Sequence, residues 1–176
     1  MFKKMPSVIL FCTMVLALPI MVIADSNIDE LKDVKTDSKK LPDFWLILGK
    51  KMSQTKIMEF LSNDCNCEQV YRQPTEDDTF WLCERNTTTI GVFIQNSCST
   101  VWLTSITFKN RWDFLDYSKY IIENVTTGEI PYSETESDEK LYWIGDSVIC
   151  VVSSSTQTVV YVHVDYLPGS PTKKKD

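Results

Sequence analysis

Histidine is nearly missing from this chain: His163 is the one histidine in 176 residues. A serine or cysteine hydrolase needs a positioned base beside its nucleophile. His163 sits in the apolar run Val160 to Val164, with no nucleophile motif near it. The same shortage argues against zinc, whose thiolate sites want spaced Cys and His pairs. No phosphate loop, dinucleotide glycine pattern or His-Glu metal motif is present. Glu134, Glu136 and Asp138 fall in a polar stretch and read as a solvated cluster rather than a glycosidase pair. The expectation is a non-enzyme with no catalytic residue, no metal and no cofactor. Basic charge is scarce too: 18 Lys and Arg stand against 24 Asp and Glu, a net charge of −6. Such a surface repels phosphate backbones, so nucleic acid is not an expected partner.

Long hydrophobic runs are absent except at the start. Lys3 and Lys4 precede an almost wholly apolar Val8 to Ala24, and Val22-Ile23-Ala24 offers a cleavage point before Asp25. That is the layout of a secretory signal peptide, residues 1–24. The competing reading is a membrane anchor, which needs roughly 20 apolar residues. This run is shorter, contains Pro19 and is followed by acidic residues. The expected product is secreted and extracellular, with no membrane span after signal removal. Loss of Lys3 and Lys4 takes the net charge to −8 over 152 residues, the length of one domain. Asn86-Thr87-Thr88 and Asn124-Val125-Thr126 fit the N-glycosylation pattern, making Asn86 and Asn124 candidate surface acceptors. Asn96-Ser97-Cys98 is a weaker acceptor and is discounted.

Cys12 leaves with the signal, and Cys65, Cys67, Cys83, Cys98 and Cys150 remain. In an oxidising compartment most should pair. Five cysteines leave one thiol over, and sequence alone cannot choose the connectivity. Cys65 and Cys67 are too close to bond each other without strain. The expectation is one bridge from this pair to Cys150 and a second from Cys83 to Cys98. The odd thiol could link two chains into a disulfide-bonded dimer.

Residues 25–40 are polar and read as a flexible arm, with Ile28, Leu31 and Val34 spaced as in a short helical turn. From Leu41 the apolar pattern has period two far more often than 3.6. Phe44 to Leu48 is a compact apolar run ended by Gly49. Lys56 to Leu61 is ambiguous and could form a helical turn. Glu68 to Tyr71 reads as a strand, and Thr79 to Glu84 with Thr88 to Gln95 as a hairpin whose tip carries Asn86. Val101 to Lys109 alternates most clearly, with Trp102, Thr104, Ile106 and Phe108 on its more apolar face. Trp112 to Ile122 is rich in aromatics, and Glu129 to Lys140 reads as an exposed loop. Lys140 to Ile144, Ser147 to Ser153 and Thr158 to Leu167 read as three more strands. Residues 41–168 are thus expected to form an all-β domain, a barrel or a sandwich. Residues 169–176, with Lys173-Lys174-Lys175, would be a solvated tail.

Several patches resemble the lipocalin family. Asp43-Phe44-Trp45-Leu46-Ile47-Leu48-Gly49 resembles its opening strand, in which a tryptophan closes the barrel floor. A cysteine-bearing segment, Cys65 to Tyr71, follows. Leu141-Tyr142-Trp143-Ile144-Gly145-Asp146, then Val148-Ile149-Cys150-Val151-Val152, then Val160-Tyr161-Val162-His163-Val164, are similar to the closing half. The resemblance spans Leu41 to Leu167. It departs at Asp43, where the family has glycine, and it leaves no room for a helix after the last strand. It implies an up-and-down antiparallel β-barrel, with Trp45 as the floor residue. Eight strands enclose space for one small ligand, so a secreted carrier of a small hydrophobic molecule is the implied function. Trp81, Trp102, Ile106, Phe108 and Trp143 are the candidate lining, although aromatics at alternating strand positions also serve as plain core. The alternative is an immunoglobulin-like β-sandwich, a protein-interaction module. Cys83, Trp102 and Cys150 loosely follow its order, but Val148 stands where its tyrosine belongs.

Overall fold

A computed structural model describes residues 41–131 and 138–166. The signal peptide, the 25–40 arm, Glu134, Glu136 and the 169–176 tail lie outside the described residues. Eight strands form one antiparallel sheet: β1 Gln69–Pro74, β2 Asp78–Glu84, β3 Thr88–Gln95, β4 Thr100–Phe108, β5 Gly128–Ile130, β6 Glu139–Ile144, β7 Val148–Ser153 and β8 Thr158–His163. The all-β expectation is met, and the hairpin β2–β3 falls where the sequence places it.

The strand order is β1-β2-β3-β4-β8-β7-β6-β5. An up-and-down arrangement would keep β4 beside β5. Here β4 pairs with β8 instead, from Leu103 opposite Val162 to Thr107 opposite Thr158. Among the described residues β1 and β5 each have a ladder partner on one side only. All eight strands share one hydrogen-bonded sheet rather than two.

Two helices precede the two runs of four strands. α1, Gln54–Glu59, begins at Ser53, whose side chain accepts from the Lys56 N–H, and it continues as a wider π-type turn over Phe60–Asp64. α2, Arg111–Asn124, begins at Asn110, whose side chain accepts from the Trp112 N–H at 2.8 Å. Such caps satisfy helix N–H groups that have no partner in the first turn. Phe114, Tyr117, Ser118 and Ile121 form the buried stripe of α2. That spacing is helical, so the aromatic-rich stretch is a helix inside a mainly β chain.

Both helices cover the same face of the sheet. Ile57, Phe60 and Leu61 of the first and Phe114, Tyr117 and Ile121 of the second pack on Trp81, Ile90, Val92, Ile106, Phe108, Val159 and Tyr161. The opposite face carries Phe93, Leu103, Ile149, Val151, Val160 and Val162. The central strands are therefore apolar on both sides, and β7 is buried along its whole length.

Three expectations are corrected. Phe44–Ile47 is a 3-10 turn, not an opening strand; Gly49, at φ +74°, ends that segment, and a Cβ there would lie 2.9 Å from the His163 ring. The alternation of β4 breaks at a bulge. Phe93 faces Leu103 and Ile94 faces Val101, so Trp102 is an extra residue. A bulge puts two neighbours on one side, and Trp102 joins Leu103 on the face away from the helices. The disulfide is Cys67–Cys83, not a link to Cys150 or Cys98. The segment after the π-type turn runs beside β2, where the Glu68 N–H donates to the Glu84 carbonyl at 3.0 Å. This brings Cys67 and Cys83 to a Cα separation of 5.6 Å, within bridging range.

Candidate functional site

A cavity of about 410 Å³ opens between the first described residues and α2. Leu41, Pro42, Asp43 and Trp45 form one wall; Asp116, Tyr117 and Tyr120 form the other. The α2 residues stand at i, i+1 and i+4, so one helical face presents all three. Mainly apolar hollows of this volume with a few polar groups are typical of small-molecule sites.

Aromatic packing backs the two walls. Tyr161 of β8 has no exposed surface, and its hydroxyl lies 2.9 Å from that of Tyr117. The Trp45 ring sits 5.7 Å from the Tyr161 ring, tilted by 54°. Burial pushes both tyrosine hydroxyls well above their ordinary pKa, and the nearby Asp43 carboxylate adds to the shift. Both therefore stay protonated across the physiological range.

Of the residues expected to line a ligand cavity, Trp81, Ile106 and Phe108 pack together under the helices. Trp102 and Trp143 lie on the other face. Trp102 is engaged: its indole N–H donates to Asp78 Oδ1 at 3.0 Å, and its ring meets Phe93 at 5.8 Å. Burial raises the Asp78 pKa, partly offset by that hydrogen bond. Trp143 borders an open hollow with Thr127, Gly128, Gly145 and Asp146. None of the five borders the 410 Å³ cavity. Trp45 does, from its 3-10 turn. Sequence reading does not mark Asp43, Asp116, Tyr117 or Tyr120 as site residues. The signal that points to the last three is the helical spacing of Phe114, Tyr117 and Ile121.

Cys65, Cys98 and Cys150 are free. Burial lifts the Cys65 thiol to about 12 and raises Cys150 as well. Among the described free thiols only Cys98 keeps some exposure. Asn86, in the β2–β3 turn, and Asn124, ending α2, are both exposed. Asn96 instead holds a turn together: Nδ2 donates to the Thr75 and Glu76 carbonyls, and Oδ1 accepts from the Thr79 hydroxyl. The His163 ring packs beside Tyr166, and its Nδ1 accepts from the Asp165 N–H. Among the described residues no group of three potential metal ligands occurs, and no helix is long and apolar enough to cross a membrane. Neither family models, nor curated proteins, nor solved structures provide a match to this chain.

Proposed function

We propose that this chain is a secreted carrier that binds one small, largely apolar molecule between Trp45 and α2. The carrier role is the one its lipocalin resemblance implies, but the site lies outside the sheet rather than in a closed barrel among Trp81, Trp102, Ile106, Phe108 and Trp143. The observation that carries this reading is the 410 Å³ hollow walled by Trp45, Tyr117 and Tyr120. Apolar surface leaving water there gains about 25 cal/mol per Å². Export is supported by the basic and apolar leader and by the Cys67–Cys83 bridge.

The neutral fluorophore N-phenyl-1-naphthylamine tests the site. It should brighten on binding, saturate at one per chain, and bind about tenfold more weakly to Trp45→Ala, which removes one aromatic wall. Trp112→Ala is the control, because Trp112 is 74% exposed on α2 and does not border the cavity. Unchanged binding in Trp45→Ala, or a loss confined to Trp112→Ala, would overturn the reading.

A further inference from the structure

The chemistry of the cavity wall goes beyond greasiness, and its meaning for a ligand rests on the cavity being the binding site proposed above. Three of its seven lining side chains are aromatic, two are carboxylates and none is basic. Asp43 stands before the 3-10 turn, yet its side chain caps nothing. Asp116 is exposed on the helix face opposite it. The ion pair of α2, Lys119 to Glu123 at 4.0 Å, uses neither carboxylate. The Asp43 charge reaches the buried hydroxyls of Tyr117 and Tyr161 and disfavours their ionisation. Two carboxylates therefore border an apolar hollow whose described lining holds no basic side chain.

The geometry points to a small organic cation, an amine or ammonium on an apolar body, as the occupant. A cation over the faces of Trp45 and Tyr120 is attracted by their ring quadrupoles. The Asp43 and Asp116 carboxylates on the cavity's two walls attract the same cation. A neutral ligand gains nothing from those two carboxylates, and an anion is repelled by them. A bare divalent metal would find only two carboxylates amid aromatic rings, short of the oxygen ligands such ions require.

Three probes of one shape decide the question with the secreted protein: 2-phenylethylamine, 2-phenylethanol and phenylacetate, followed by tryptophan fluorescence and calorimetry. The amine should bind about tenfold more tightly than the alcohol, and phenylacetate most weakly. Asp43→Asn and Asp116→Asn should each weaken the amine roughly threefold to tenfold and leave the alcohol unchanged. Added salt should weaken the amine alone. Both positions are exposed, and circular dichroism checks that each variant folds. Equal affinity for amine and alcohol, or indifference to both substitutions, overturns the cation while leaving the cavity in place. Failure of the amine to bind overturns it too. Selective amine binding that survives Trp45→Ala places the cation elsewhere and removes both readings together.

Discussion

The two halves of the chain repeat one order of elements and are secured differently. Each half is a helix followed by four antiparallel strands, and the last strands, β4 and β8, pair side by side. Both helices press on the same sheet face. In the first half the segment entering β1 is tied to β2 by Cys67–Cys83, beside the Glu68 to Glu84 backbone bond. At the matching place in the second half the tie is non-covalent: the Thr127 N–H and hydroxyl both donate to the Trp143 carbonyl, at 2.7 and 3.2 Å. The helices differ to suit. α1 has 6 residues before its π-type turn, and α2 has 14. Short helices draw little stability from themselves. The difference teaches that the half with the weaker helix carries the covalent tie, while the longer helix stands on packing and is free to form a cavity wall.

High pH should break this comparison most strongly. Cys65 in the first half, and Cys150, Tyr117 and Tyr161 in the second, all have raised pKa values because burial disfavours their charged forms. A raised folded pKa means the native state holds its proton longer than the unfolded chain. The stabilisation is complete below the unfolded value, 9.0 for a thiol, and is lost as pH climbs through the folded value. For Cys65 the shift to about 12 corresponds to at most about 4 kcal/mol. With three of the four groups in the second half, that half should open first above pH 9. Tyrosinate absorbance and alkylation of Cys150 should rise together, before Cys65 reacts. Cys98, part-exposed, should be alkylated at neutral pH. If Cys65 reacts before Cys150, the assignment of the weak half is reversed.

Removing the bridge comes next in size. Cys67→Ser with Cys83→Ser frees a 16-residue separation, worth about 3 kcal/mol by loop entropy. The denaturation midpoint should fall accordingly, and amide exchange should accelerate in α1, β1 and β2 while β7 and β8 keep their protection. Uniform loosening of both halves would show that the tie serves the whole sheet rather than its own half.

How much of the fold is legible in the sequence depends on which interactions are local. β2, β3, β4, β6, β7 and β8 are readable because β-branched and aromatic residues recur between turn signals. β5, of three residues, carries too short a signal and reads as loop. The bulge at Trp102 depends on the register with β3, which no window of β4 reveals. The pairing of β4 with β8 joins segments about fifty residues apart. The disulfide escapes sequence reading for a similar reason: proximity of Cys67 to Cys83 is set by how the chain enters β1. Of the candidate site, Trp45 stands out in the sequence, but as a barrel floor. Its partners sit on a helix hidden in a stretch conspicuous only for its aromatics, and the face they share exists only once the helix is formed.

The smallest expected effect concerns the joint between α2 and the seam strand. Tyr117 and Tyr161 hydroxyls meet at 2.9 Å in the buried core, 44 residues apart in sequence. Changing either to phenylalanine leaves the other hydroxyl buried and unpaired, which costs about 1–2 kcal/mol. Changing both removes the orphan, so Tyr117→Phe/Tyr161→Phe should recover to within about 0.5 kcal/mol of the parent. Chemical denaturation of the parent, both single variants and the double gives the coupling directly. Losses that add without coupling would mean the two hydroxyls do not hold α2 to β8. The second half would then rest on the apolar stripe of Phe114 and Ile121 alone. The α2 wall of the cavity would be no firmer than that stripe.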